Sequence, residues 1–212
     1  MSSAPMNGRK AQAARNDELI LRAARAVFTG DPGAPVAAVA ERAGVGISAL
    51  YRRYPSKEAL LQKLCGDGLK VYIEVAERAL ADDGDPWEAF AGYLRGIVDA
   101  DVHSLTIKLA GSFTPTEELF RDSARASELA VAAHQRAVAA GVLRPDVTVA
   151  DVALLFELMA SIRLGDEERT AQLRHRYLTL TMDALRVPPA HGDLPGPPPQ
   201  DAELTARWVP SS

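Results

Sequence analysis

The sequence predicts an all-α protein of about nine helices. Alanine and leucine dominate the hydrophobic residues, which make up 47% of the 212 residues, and runs of β-branched residues are short. Both features favour helices over strands. No segment of useful length alternates apolar and polar side chains as a half-buried strand would. The chain is long enough for a small domain followed by a larger one.

Helix start and stop signals divide the chain into elements. They predict helices over about 16–28, 35–43, 47–54, 56–81, from 85 onward, 114–140, 148–164 and 167–186. The start signals are Ser56, Asp85 before a proline, a capping box completed by Glu117, and Thr148 with Asp151. We expect a disordered basic arm (1–14), a three-helix domain (15–65), a larger helical domain (66–187) and a disordered Pro/Gly-rich tail (188–212).

Charge separates the N-terminal part of the chain from the rest. Residues 1–65 carry a net charge of +5 and the remainder carries −9, although the whole chain has a net charge of −4. A basic N-terminal part concentrates the attraction for phosphate at one end of the protein. No apolar stretch reaches the roughly 18–20 residues that span a bilayer. With no apolar signal-peptide core and a single cysteine, Cys65, the chain is expected to be cytoplasmic, without a membrane partner.

Residues 36–64 carry the pattern of a helix-turn-helix. Two short helices flank a glycine turn, and a tyrosine, two arginines and a newly capped helix follow. Gly44 is expected to end the first helix in the left-handed conformation, and Pro55 ends the second. Val45 and Leu50 are expected to face inward and hold the second helix in place. Such an arrangement can place one helix in a DNA major groove and bind phosphates beside it.

The same residues resemble the TetR family of bacterial transcriptional regulators. Residues 36–45 (VAAVAERAGV) and 50–60 (LYRRYPSKEAL) match the family pattern in order and spacing: an apolar residue and Ala, AGV, LY, an aromatic residue, then KE-x-L. Residues 20–28 are similar to the family's first helix, and beyond residue 65 only the helical layout is similar. The resemblance implies a homodimer that binds a double-stranded DNA operator and is released by a small-molecule effector.

Eight residues are predicted to contact DNA. Ser48 can hydrogen-bond a base edge at the exposed N-terminal end of the recognition helix, while Ile47 and Ala49 can touch thymine methyl groups. The resemblance implies phosphate contacts for Tyr51, Arg53 and Lys57, whereas Arg52 could reach either a base or a phosphate. The full predicted set is Gly46, Ile47, Ser48, Ala49, Tyr51, Arg52, Arg53 and Lys57. Because residues 46–49 offer no long bidentate side chain, DNA shape is expected to carry much of the specificity.

The chain departs from the family at the start of the second helix. Many members have Thr or Ser there, whereas this chain has Ala34, Pro35 and Val36, so a hydroxyl contact to phosphate is in doubt. Two interpretations of the basic arm remain open. Its cations Arg9, Lys10 and Arg15 either contact the DNA backbone or minor groove in compensation, or belong to a solvated tail.

The resemblance implies that the larger domain binds the effector and forms the dimer. Aromatic and apolar residues at helical spacing could line an apolar pocket, although an ordinary core explains each of them as well. The pocket candidates are Trp87, Phe90, Tyr93, Phe113, Phe120, Phe156 and Met159. The last two helices are expected to pair with their copies as a four-helix bundle. The interface candidates there are Ala153, Leu154, Leu158, Leu178, Thr181, Met182 and Leu185.

No catalytic, metal or cofactor site is predicted. The four histidines are scattered, Ser112 lies in GSF rather than G-x-S-x-G, and residues 44–46 lack the third glycine of a dinucleotide loop. An enzyme is therefore disfavoured. An activator and a ligand-independent regulator of the same fold remain open as alternatives to a ligand-responsive repressor.

Overall fold

A computed structural model shows an all-helical chain, as the sequence predicted. The structure describes residues 5–109, 111–187, 194–195, 197–200 and 202–203. These residues form nine helices: α1 (Pro5–Gly30), α2 (Val36–Ala43), α3 (Ile47–Arg53), α4 (Lys57–Leu80), α5 (Pro86–Asp99), α6 (Val102–Leu109), α7 (Glu117–Ala139), α8 (Val149–Ser161) and α9 (Glu167–Leu185). In this described part of the chain, no helix is both long and apolar enough to cross a bilayer.

Three of the four predicted helix starts are confirmed by their side-chain caps. Ser56 accepts a hydrogen bond from the backbone N–H of Ala59 at 3.0 Å, and Asp85 accepts one from Glu88 at 2.9 Å. Thr148 and Asp151 form a reciprocal capping box at the start of α8. The fourth prediction is wrong: Thr116 caps α7 and Glu117 is its first residue, so Glu117 completes no capping box.

Other boundaries differ from the predicted ones. Helix α1 begins at Pro5, so residues 5–14 of the predicted disordered arm are helical. A Gln12–Asn16 hydrogen bond at 3.0 Å, four residues apart, supports helix in that segment. Helix α6 was not predicted, and α8 ends at Ser161 rather than near residue 164. The predicted C-terminal tail lies largely outside the described residues.

Two hydrophobic cores organise the structure, and we call them the head core and the body core. The head core is built from α1–α3, the first half of α4, Leu105 and Leu109 of α6, and Leu119 of α7. The body core is built from the end of α4 with α5, α7, α8 and α9. Helix α4 supplies both cores, so the predicted domain limit at residue 65 falls within a continuous helix.

Candidate nucleic-acid interface

The turn between α2 and α3 sets the position of the recognition helix. Helix α2 buries four residues against the head core and ends at Gly44, whose φ of +65° lies in the left-handed region as predicted. The N–H of Val45 then donates to the carbonyl of Ala40 at 3.0 Å. Helix α3 follows, and Leu50 is its one buried residue. Because only Leu50 of α3 is buried, most of the surface of this helix is exposed to solvent.

The exposed side of α3 carries most of the predicted DNA contacts. Ile47 is 41% exposed and Tyr51 is 47% exposed, and their spacing of four residues places them on one face of the helix. Ser48 and Arg52 repeat that spacing and are also exposed. Gly46 is exposed at the N-cap, and Ala49 is half-buried. The structure thus brings the predicted base-reading residues together on the exposed side of one short helix, which a groove could accept.

Arg53 is held by an acidic residue that the sequence did not single out. Its Nε and Nη2 donate to the two carboxylate oxygens of Asp17 on α1 at 2.8 and 2.9 Å, and the hydroxyl of Tyr54 donates to the same carboxylate at 2.6 Å. The hydrogen bond from Arg53 lowers the pKa of Asp17 below its usual value, against the opposing effect of partial burial. Burial and Asp17 raise the pKa of Tyr54, so its hydroxyl keeps the proton that it donates.

Lys57 fixes the first turn of α4 to the α1–α2 loop. Its Nζ donates to the carbonyl oxygens of Pro32 and Ala34 at 2.8 and 2.9 Å, and it lies 5.1 Å from the centre of the Phe28 ring. An ammonium group carries three N–H donors, so one donor remains beyond these two bonds. Lys57 is therefore a structural cation with capacity for one further acceptor such as a phosphate.

The start of α2 and the N-terminal arm differ in the hydrogen-bond donors and cations that could contact DNA. Pro35 is the N-cap of α2 and makes no side-chain capping bond, so a hydroxyl donor is lacking at this position. Arg9 and Lys10 lie within α1, and Arg15 donates to Gln12 at 3.1 Å. The predicted role of the arm in binding DNA stays a prediction.

The predicted pocket residues separate into three groups. Trp87, Phe90, Tyr93, Phe156 and Met159 all belong to the body core. Phe113 packs instead against the head core, and Phe120 is 62% exposed. The structure does not bring these two residues to the body core with the other five, because Phe113 packs on the head core and Phe120 is exposed.

A small cavity lies inside the body core. It has a volume of about 40 Å³, and Phe90, Tyr93 and Phe156 contribute to its wall. Sequence reasoning missed Tyr72, His103 and His134, which also line it. They come from three helices, and no motif links them. A volume of this size accommodates about one water molecule.

The cavity wall combines aromatic rings with uncharged polar groups. The hydroxyl groups of Tyr72 and Tyr93 are hydrogen-bonded to each other, and the ring centres of His103 and Phe156 lie 4.9 Å apart. Within the described part of the chain, Nδ1 of His103 is buried without a hydrogen-bond partner. Burial lowers the pKa of His103 to about 4, so the imidazole is neutral at physiological pH.

The predicted dimer residues are also divided by the structure. Leu178, Met182 and Leu185 are buried in the core of their own protomer, which corrects their assignment to an interface. They were assigned to the interface because helical spacing predicts which face of a helix is buried. It does not show whether that face packs on its own protomer or on a second copy. Leu158 is 57% exposed, whereas Ala153, Leu154 and Thr181 are half-buried. Tyr177 and Leu180 of α9, which were not predicted, are exposed apolar residues.

Neither a metal centre nor a reactive thiol emerges among the described residues. They contain no group of three His, Cys, Asp or Glu side chains placed to hold a metal ion. Cys65 is a free cysteine, and burial raises the pKa of its thiol to about 12. A thiol in that state packs as a small apolar side chain.

Comparison with known proteins agrees with the geometry of the head. Residues 20–64, from α1 to the first half of α4, match the model of the family described as bacterial regulatory proteins, tetR family. The head of the chain is therefore similar to the DNA-binding domain of TetR family regulators. No curated protein sequence matches it.

Solved structures of TetR family proteins share the fold over most of the chain. A TetR transcription regulatory protein from Mycobacterium vanbaalenii is 27% identical, with a TM-score of 0.55 over 84% of this chain and 99% of that one. PfmR from Thermus thermophilus is 25% identical, with a TM-score of 0.56 over 77% and 97%. LfrR from Mycobacterium smegmatis, solved in complex with proflavine, is 24% identical, with a TM-score of 0.56 over 78% and 95%. The chain therefore has the fold of a DNA-binding transcriptional regulator.

Proposed function

We propose that this protein is a sequence-specific repressor of the TetR family that acts in the cytoplasm as a homodimer and is released from a pseudo-palindromic operator by a hydrophobic small molecule. The observation that carries the proposal is α3 itself. Leu50 is fully buried and anchors the helix, while Ile47, Ser48, Tyr51 and Arg52 remain exposed around it. A helix held by one buried residue and exposed elsewhere is suited to enter a major groove.

Base and phosphate contacts are proposed for different parts of α3. Gly46, Ile47, Ser48 and Ala49 face the bases from the N-terminal end, where Ser48 supplies the hydrogen bond. Tyr51 and Arg52 follow one turn later and reach phosphates. The remaining donors of Arg53 and Lys57 bind phosphates as well. Phosphate contacts then supply most of the affinity, and the N-terminal end of α3 supplies the sequence preference.

The homodimer is supported by apolar surface on the last two helices. Leu158, Tyr177 and Leu180 are each about half exposed, although they lie on helices whose other faces fill the body core. Exposed apolar side chains on α8 and α9 favour burial against a second copy. A two-fold dimer would present two α3 helices to a symmetric site.

A hydrophobic effector is supported by the composition of the body-core cavity. Its wall has aromatic rings, two tyrosine hydroxyl groups and two histidines, of which His103 is neutral, and no Asp, Glu, Lys or Arg of the described residues lines it. A neutral ligand suits such a wall, since a charged one would lose its hydration without gaining a partner. At about 40 Å³ the cavity must widen to admit a ligand, so the effector would stabilise a different conformation.

Helix α6 offers a path from that cavity to the head. His103 lines the cavity, and Leu105 and Leu109 are buried in the head core two and six residues later. The α6 helix also packs closely on α4, where a Cβ placed on Gly68 would lie 2.9 Å from Val102. A displacement of His103 by a ligand would therefore reach the head core and change the separation of the two recognition helices.

A ligand-independent regulator, including an activator, is the second candidate. The small cavity favours it, because a preformed ligand site is usually several hundred cubic ångströms in volume. The similarity to transcriptional regulators favours either of these over an enzyme.

Selection of bound sequences from a random duplex library at near-physiological salt tests the proposed function. We expect enrichment of a two-fold symmetric site. Arg52→Ala should weaken binding to all sequences, whereas Arg78→Ala, an exposed arginine near the far end of α4, should leave it unchanged. A protein that binds no duplex would contradict the proposed function, and binding without enrichment would contradict its sequence specificity.

A further inference from the structure

We infer that Asp17 increases the specificity of DNA binding, because it anchors the end of the recognition helix and compensates the charge of Arg53. This inference rests on the proposed DNA-binding function. It concerns a residue of α1 that lies 36 positions from Arg53 in the sequence. The acidic side chain stands within a head of net positive charge, where an uncompensated carboxylate would oppose DNA binding.

The first part of the argument is mechanical. Helix α3 has seven residues and buries only Leu50, which by itself permits the helix to rotate about its contact line. Asp17 adds a second attachment at the last turn by accepting two bonds from Arg53 and one from Tyr54. Paired bonds to a planar guanidinium fix orientation as well as distance. The exposed residues at the start of α3 are thereby held at one angle to the head.

The second part is electrostatic. The side chain of Arg53 is 58% exposed at the interface, and the pair leaves its Nη1 as the nitrogen not bonded to Asp17. Binding to DNA of any sequence depends on uncompensated cations that replace counterions on phosphates. The Asp17 carboxylate, 2.8 Å from Arg53, reduces this contribution. The same carboxylate therefore weakens sequence-independent binding while it keeps the base-reading end aligned.

Asp17→Asn tests the inference, with Glu18→Gln as the matched control. Both variants remove one negative charge from adjacent positions of α1, but among the described residues Glu18 is exposed and has no hydrogen bond or ion pair. Affinities are measured for the selected operator and for a random-sequence duplex. The salt concentration is varied from about 0.05 to about 0.3 M, so that the salt dependence of each affinity is obtained. Any difference between the two variants then reports the release of Arg53 rather than the change in net charge.

We expect Asp17→Asn to strengthen random-duplex binding beyond the effect of Glu18→Gln. One further neutralised phosphate steepens the log–log salt dependence by about 0.9, which corresponds to about eightfold at 0.1 M if the contact contributes nothing at 1 M. Operator binding should gain less, because α3 loses part of its anchor, so the ratio of the two affinities should fall. Arg53→Gln added to Asp17→Asn should return random-duplex binding to the wild-type value.

The outcomes separate the inference from the proposed function. Equal effects of Asp17→Asn and Glu18→Gln on both duplexes would overturn the inference while leaving DNA binding intact. Failure of the wild-type protein to bind any duplex would overturn the proposed function and the inference with it. If Asp17→Asn loses its helical circular dichroism, Tyr54→Phe serves instead, since it removes one bond to Asp17 without a change of charge. It should lower operator affinity alone, and an unchanged affinity ratio would overturn the inference.

Discussion

Lys57 combines a cationic surface group with a structural role at the level of one residue. Its two bonds go to carbonyl oxygens of the loop between α1 and α2, at Pro32 and Ala34. A carbonyl that loses a charged donor in a half-buried position must be satisfied by water or remain unpaired. The family resemblance implied a phosphate contact for Lys57. The structure adds that Lys57 joins the start of α4 to the loop between α1 and α2.

Lys57→Met should lower the free energy of unfolding by about 2 kcal/mol, because two hydrogen bonds from a charged donor are lost while the aliphatic part of the side chain is kept. Lys63→Met is the matched control, since Lys63 pairs with Asp67 four residues away on an exposed face of α4. That change should cost less than about 0.5 kcal/mol. Urea denaturation of both variants compares them, and equal losses would assign Lys57 no structural role.

His103 should make stability depend on pH. Burial lowers its pKa to about 4, and the nearby Glu157 and Asp101 oppose that shift more weakly. The unfolded chain then takes up a proton at a higher pH than the folded chain does. Stability is therefore complete above about pH 6.5, the usual value for histidine, and falls as the pH drops towards 4.

His103→Gln should remove this pH dependence, because glutamine does not titrate. Relative to the variant, the wild-type unfolding free energy should fall by at most about 1.4 kcal/mol per pH unit between pH 6.5 and 4. Denaturant unfolding at half-unit pH steps measures the difference. Parallel curves for the two proteins would show that His103 is not protected from protonation.

At the scale of the element, local signals explain which helices could be predicted. Ser56, Asp85 and Thr148 cap helices through bonds to residues three positions away, so the sequence alone contains the whole interaction. The recognition helix was predictable for the same reason, since its turn and its exposed residues lie within a short segment. No start signal of this kind was recognised before α6, which contacts α1, α4 and α8 and is stabilised by that packing.

The parts of the candidate site that were missed depend on distant pairs. Asp17 joins Arg53 across 36 positions, and the hydroxyl groups of Tyr72 and Tyr93 meet across 21. Neither pair can be recognised from a sequence pattern. In the sequence, each member of such a pair looks like any other polar residue of its helix. The eight DNA-contact candidates could be named from the sequence, whereas the residue that orients one of them could not.

Replacing glycine by alanine should change the free energy of unfolding in opposite directions at Gly44 and at Gly92. A Cβ added to Gly44 or to Gly92 would meet no atom within 4 Å, so neither change causes a clash. Gly44 has a φ of +65°, whereas Gly92 lies within α5. Gly44→Ala should destabilise the protein by about 1 kcal/mol through left-handed strain, and Gly92→Ala should stabilise it by about 0.5–1 kcal/mol. Thermal unfolding measures both, and shifts of the same sign would contradict the assigned backbone conformations.

At the scale of the whole molecule, two cores share continuous helices. Leu60, Leu61 and Leu64 of α4 are buried in the head core, and Ala76 is buried in the body core three turns later. Composition and charge suggested two separate domains, since they average over segments and do not reveal which core each residue joins. Because α4 contributes to both cores, the proposed effector response would need α4 or α6 to carry a change from the body core to the head core.

The exposed surface of α8 and α9 should decide the oligomeric state. Leu158 and Leu180 are each 57% exposed, so Leu158→Glu combined with Leu180→Glu introduces charge without opening the protomer's own core. We expect monomers by light scattering with helical content unchanged, because burying two carboxylates against a second copy is unfavourable. Phe120→Glu, at a residue of α7 that is 62% exposed, is the control and should remain dimeric.

The same double variant should also bind the operator more weakly than the wild-type protein, since one α3 then engages one half-site at a time. Affinity for a single half-site should be nearly unchanged, as its contacts belong to one head. Met182→Glu should behave differently and unfold the protein, because Met182 is buried in the body core. A double variant that keeps the wild-type mass would place the dimer contact on a surface other than the outer faces of α8 and α9.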